Sequence, residues 1–119
     1  MKLNLAVVTV WADNFEETVN FYKKVLGMND IHQESKGIIH FKIDDVLFTI
    51  MKGKPASATN SIIPRFPIIA FSVGDIQKSF AVLKENKVEL PWGIEESPAA
   101  KWVMFHDPAG NLIELVQFL

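Results

Sequence analysis

Three histidines, 14 acidic residues and no cysteine bound the chemistry open to this 119-residue chain. Without cysteine there is no disulfide, thiolate nucleophile, thiolate zinc site or iron–sulfur cluster. No Gly-x-Ser-x-Gly stretch occurs and the serines fall mostly in linker-like or turn-like segments, so a hydrolytic triad has no support. The 6 glycines are never clustered, which removes phosphate-cradling loops and dinucleotide fingerprints. Imidazole, carboxylate and indole remain. His32, His40 and His106 lack the spacing of a local chelate. Glu16 and Glu17 open a helix, where they complement its dipole rather than form an acid–base pair. Glu114 interrupts an otherwise apolar run. Trp92 and Trp102 flank a loop, Gly93–Lys101, whose Glu95-Glu96-Ser97-Pro98 stretch reads as mobile. Indole beside acid suits an aromatic or cationic guest; the competing role for each tryptophan is filling a core or an edge.

The elements that must position these groups follow from periodicity. A Val-, Leu- and Thr-rich run over Leu3–Trp11 predicts a strand, and Asp13-Asn14 a turn or N-cap. Phe15, Val19, Phe21, Tyr22, Val25 and Leu26 are spaced for a helix that Gly27 ends. Strands are then predicted near Ile31, over Ile38–Ile43 and over Val46–Met51, separated by turns at Ser35–Gly37 and Asp44-Asp45. Residues 53–65 read as a linker, being small, polar and punctuated by proline. The pattern restarts with a strand over Phe66–Val73 and a helix over Ile76–Glu85. Strands at Val88–Leu90, Trp102–Phe105 and Leu112–Phe118 follow, with a tight turn at Asp107–Asn111 before the last. One order of elements thus occurs twice. An offset of 61 lays Val7 on Ile68, Asn14 on Asp75 and Thr18 on Ser79.

Two stretches resemble the vicinal oxygen chelate superfamily of glyoxalases, bleomycin-resistance proteins and extradiol dioxygenases. One is Asn14-Phe15-Glu16-Glu17-Thr18-Val19-Asn20-Phe21-Tyr22 with Leu26-Gly27. The other is Asp107-Pro108-Ala109-Gly110-Asn111-Leu112-Ile113-Glu114-Leu115. The resemblance implies an α+β fold of two tandem βαβββ modules, here residues 1–52 and 66–119, whose curved sheets form a cup. In chains of this length such cups commonly close across a homodimer, which is the expected assembly.

The resemblance also implies four inward positions for a divalent metal, which fall on Val7, Thr49, Ile68 and Glu114. Only Glu114 has a ligand's chemistry, and one carboxylate does not hold such an ion where enclosed sites need at least three protein ligands. No metal or other cofactor is therefore expected. Buried without a cation, Glu114 would have a raised pKa and could act as a general base or as the counter-charge of an amine; it could equally pair with a neighbouring strand or sit in water. Strand alternation adds Thr9, Trp11, Met51 and Ala70 to the lining, with His40, Trp92 and Trp102 as further contacts. A mostly aliphatic cavity with aromatic rims and one acid binds flat, apolar molecules by burial.

Apolar residues make up 49% of the chain, which is globular composition. A net charge of −2 without a basic stripe gives nucleic acid no electrostatic footprint. The N-terminal apolar stretch is too short to span a membrane and no cleavage site follows it, so a soluble, cytoplasmic protein is expected. Two functions stay open. One is metal-free capture of a small apolar or aromatic, in part cationic, molecule. The other is a divalent-metal-dependent lyase, isomerase or dioxygenase whose ligands lie one register away, since a one-residue slip exchanges the faces of a strand.

Overall fold

A parallel pairing of first and last strands organises each half of the chain. The computed structural model describes residues 1–2, 4–55 and 66–119. It divides into two compact units, Met1–Pro64 and Arg65–Leu119. The first holds β1 (Val7–Ala12), α1 (Phe15–Lys24), β2 (Ile31–Ser35), β3 (Ile38–Ile43) and β4 (Val46–Lys52), in sheet order β1-β4-β3-β2. The second holds β5 (Ile69–Ser72), α2 (Ile76–Glu85), β6 (Ile94–Glu96), β7 (Ala100–His106) and β8 (Leu112–Phe118), in sheet order β5-β8-β7-β6. In both, the first strand runs parallel to the last and the remaining pairs are antiparallel. A parallel pair needs a crossover, and the helix in each unit lies within it. This is the α+β fold of two βαβββ modules.

Each helix covers one face of its own sheet. In the first unit Val19 and Tyr22 of α1 are buried with Val10, Ala12, Ile39, Phe41, Phe48 and Ile50. The Tyr22 and Phe48 rings meet at 5.0 Å. Asn14 takes the N-cap position of α1; its Oδ1 accepts from the buried Thr18 hydroxyl at 3.3 Å and its Nδ2 donates to Glu17 at 3.1 Å. Gly27, at φ +73°, carries the chain out of the helix, and the Met28 N–H reaches the Tyr22 carbonyl at 2.9 Å. In the second unit Ile76 and Leu83 of α2 are buried with Val103, Phe105, Ile113 and Leu115. Asp75 Oδ1 caps α2 by accepting from Lys78 N at 3.1 Å, and Gln117 Oε1 of β8 accepts from Ile76 N at 2.8 Å. That second bond ties the helix start to the sheet.

Four boundaries depart from expectation for identifiable reasons. The first strand starts at Val7 because β4 starts at Val46; past the Leu47 N–H bond to Ala6 O, the described residues before Val7 join no strand ladder, and Leu3 lies outside the described residues. Phe66, Pro67 and Ile68 precede β5 rather than belong to it; proline has no N–H to give a ladder. Val88–Leu90 is not a strand. Lys87 adopts φ +61° and donates to Lys84 O at 3.0 Å, while Val88 N donates to Leu83 O at 3.0 Å, so this segment serves as a Schellman cap. The strand falls instead on Ile94–Glu96, inside the segment expected to be a mobile loop. Ser97 N donates to Ala100 O at 2.9 Å, with Pro98 inside that turn, so β6 and β7 form a tight hairpin. Most of the expected linker, residues 56–65, lies outside the described residues.

The Asp107–Asn111 turn is built around one carboxylate. Asp107 is 3% exposed; its Oδ1 accepts from Ala109 N at 3.0 Å and Asn111 N at 2.9 Å, and its Oδ2 from Asn111 Nδ2 at 2.9 Å. Gly110 supplies φ +92°. Replacing Asp107 with alanine strands these donors and removes charge-assisted bonds, so Asp107→Ala should lower unfolding free energy by about 2–3 kcal/mol in urea denaturation.

Candidate functional site

In each unit the sheet face turned away from the helix carries the side chains with chemistry, and pairing register sets which of them adjoin. In the first unit Thr9 pairs with Thr49, Thr49 with His40 and His40 with Gln33, a polar row across all four strands. The row beside it runs Trp11, Met51, Ile38 and Ser35; the row on the other side runs Val7, Leu47 and Lys42. Directly opposed residues share a face, so the polar row lies between two mainly apolar ones. Thr49 is 1% exposed, and its Oγ1 lies 2.5 Å from His40 Nδ1. Trp11 packs along Gly53, where an added Cβ would meet its ring at 3.7 Å.

In the second unit Ala70 pairs with Glu114 and Glu114 with Met104; the next row runs Ser72, Val116, Trp102 and Glu95. Trp102 therefore stands directly opposite Glu95 and diagonal to Glu114, a separation of about 7–8 Å between such positions. All three side chains are half-buried. No cation pairs with Glu95 or Glu114 among the described residues. Lys101 takes no part, since it alternates to the helix side opposite Glu96 and Gln117. An indole flanked by two carboxylates can hold an organic cation through the ring face and the paired charges.

The predicted site residues divide accordingly. Val7, Thr9, Trp11, His40, Thr49 and Met51 share the outward face of the first sheet, and Ala70, Trp102 and Glu114 that of the second. Ile68 precedes β5 and is 53% exposed. Trp92 lies in the turn before β6, 51% exposed, outside the strand rows that hold Trp102. Glu95, in the acidic stretch expected beside the indoles, sits in strand β6 rather than in a mobile loop. The signal was present in Ser97-Pro98, a turn opener placed between two short runs of strand-forming residues. His32 and His106 are exposed. A separate groove of about 1040 Å³ in the first unit runs from the start of α1 to the β2–β3 turn; Asp13, Glu16, Glu17 and Glu34 face it together with Lys23, Lys36 and Lys52. It contains none of the predicted site residues.

The equivalence of Thr49 and Glu114 follows from register. Thr9 stands beside Thr49 in one unit, and Ala70 beside Glu114 in the other, with Thr9 and Ala70 related by the 61-residue offset. A family model for the Glyoxalase/Bleomycin resistance protein/Dioxygenase superfamily matches residues 4–115. The chain belongs to this superfamily. Solved structures with the same fold include a lactoylglutathione lyase from Agrobacterium tumefaciens, 18% identical over 96% of this chain and 92% of that one, TM-score 0.74. They include TnmS3, an antibiotic binding protein from Streptomyces sp. CB03234, 20% identical over 99% and 98%, TM-score 0.76. A glyoxalase/bleomycin resistance protein/dioxygenase from Nocardioides is 19% identical over 100% and 85%, TM-score 0.76. No curated protein matches the chain in sequence.

The residues at the positions that the resemblance implies for a metal do not fit a divalent ion. Val7 and Ile68 present hydrocarbon, the Thr49 hydroxyl is bonded to His40, and Glu114 alone brings an anionic oxygen. Among the described residues no group of three His, Asp or Glu side chains is placed to supply a substitute. Because Glu114 has no ion pair there, it contributes little to folding. Glu114→Gln should leave unfolding free energy within about 0.5 kcal/mol of the parent in urea denaturation.

Proposed function

We propose that this chain is a metal-independent binding protein for small apolar or aromatic molecules, with cationic ligands held on the face around Trp102. The carrying observation is the donor set: of the four positions the resemblance implies for a metal, Val7 and Ile68 are hydrocarbon, the Thr49 hydroxyl is bonded to His40, and Glu114 alone is a carboxylate. The arrangement of Glu95 and Glu114 about Trp102 supports the charge preference, and the antibiotic-binding neighbour TnmS3 lends precedent for capture on this scaffold. Half-buried carboxylates beside an aromatic face favour an alkylammonium over a neutral amine of equal size. Nothing in this reading requires bond making; the chemistry is burial, orientation and charge pairing.

The test uses 4-ethylbenzylamine and naphthalen-2-ylmethylamine, both cationic at neutral pH. Each should quench tryptophan emission and raise the melting temperature in proportion to ln(1 + [L]/Kd). Glu95→Gln and Glu114→Gln should each weaken binding by about fivefold, the loss of one charge-assisted contact. Absence of any shift with both amines overturns the proposal. Stoichiometric zinc, nickel, manganese or iron in protein purified without chelator does so in favour of the metal-dependent lyase, isomerase or dioxygenase.

The expected homodimer belongs to the same proposal. Val7, Phe66, Ile68, Trp92 and Phe118 are between 48% and 71% exposed in the single chain, and a second copy is the occupant that would cover them. Sedimentation equilibrium at micromolar concentration should return twice the 13.4 kDa chain mass, and a monomer would remove this part.

A further inference from the structure

The polar row of the first sheet has a property that its composition alone does not convey. Thr49 is buried, and its hydroxyl carries one proton that needs an acceptor. Among the described residues its side chain has one hydrogen-bond partner, His40 Nδ1. Were Nδ1 protonated, it would occupy the threonine oxygen as a donor and leave the buried hydroxyl proton with no acceptor. The satisfied arrangement has Thr49 donating to Nδ1, which places the proton of the neutral ring on Nε2. His40 is half-buried on the face turned away from α1, and its Nε2 has no partner among the described residues. The sheet thus holds one oriented, unused N–H donor between two mainly apolar rows.

We propose that His40, held by Thr49, donates from Nε2 to an oxygen acceptor of a small molecule bound on the outward face of the first sheet, so that this face prefers ligands bearing a carbonyl, phenolic or carboxylate oxygen. This deepens the binding function proposed above and rests on it. The neighbouring residues agree with an acceptor rather than a donor on the ligand. Lys42, in the adjacent row of the same face, is a donor only, and Thr9 and Gln33 extend the polar row on either side of the Thr49–His40 pair. The acid of the adjoining strand faces elsewhere: Glu34 alternates to the other side of β2 and approaches Lys23 of α1 at 4.0 Å. His40 is a positioning and specificity residue here. No covalent step is involved.

Two measurements on the full chain test this. Long-range ¹H–¹⁵N spectra of the ligand-free protein should show His40 as the Nε2–H tautomer, and Thr49→Val, which removes the hydroxyl with little change of shape, should relax it to a mixture. Binding is then compared for acetophenone and ethylbenzene, matched neutral aromatics that differ by a carbonyl oxygen and call on no carboxylate of the second unit. The acetyl compound should bind about fivefold more tightly, the usual net value of one hydrogen bond. His40→Phe should bring the ratio of the two affinities to about one, and His40→Gln, which keeps a donor near the Nε2 position, should restore part of the preference. An Nδ1–H tautomer, or equal affinities for the two compounds in the parent protein, overturns this inference and leaves the binding function standing. Failure of both compounds to bind overturns this inference, while the amines used above test the binding function separately.

Discussion

Parallel pairing between the first and last strand of each unit is the constraint from which the rest of the structure follows. Antiparallel neighbours can be joined by a few residues, but a parallel pair obliges the chain to cross the sheet, and the crossover here includes α1 or α2. The helix then takes one sheet face for packing. Tyr22 against Phe48, and Ile76 and Leu83 beside Phe105 and Ile113, are the packed side in the two units. Because strand side chains alternate, every second residue is sent to the opposite face, and there the register decides which groups meet. Thr9 and Thr49 adjoin for the same reason as Ala70 and Glu114. Repetition of the constraint, more than repetition of residues, makes the two halves alike.

That division of labour separates what stabilises the fold from what gives it chemistry. The capping contacts of Asp75 and Gln117, the Asp107 turn and the aromatic packing on the helix side involve residues with committed partners. Glu95, Glu114 and the Nε2 of His40 have no such partner among the described residues, and all lie on the other face. An unpaired carboxylate on a half-buried strand does nothing for packing. In the binding function proposed above, it is the group that meets a cation.

Much of this was legible in the residues. The two helices, the turns at Asp44 and Asp107 and the last strand show clear periodicity or turn chemistry, and α2 and β8 fall on the expected residues. The two signature stretches revealed the superfamily. Elements set by tertiary context were harder. Val88–Leu90 has strand-forming composition, but the positive φ of Lys87 drew it into a helix cap. Ile94–Glu96 is three residues long and shows no useful period, so only its partner β7 makes it a strand. The placement of Glu95 directly opposite Trp102 depends on this hairpin register rather than on any local motif. The His40–Thr49 bond was equally out of reach, because it needs the β3–β4 register to bring together residues nine apart.

The saturated carboxylate of Asp107 has a bearing on thermodynamics. β8 leaves a turn whose donors are already engaged, and its far end is fastened to α2 through Gln117. The backbone under Glu114 is anchored at both ends before any guest arrives. Ordering losses on complex formation would then fall on side-chain rotamers rather than on the main chain, which favours a modest entropic penalty and a heat-capacity change governed by desolvation.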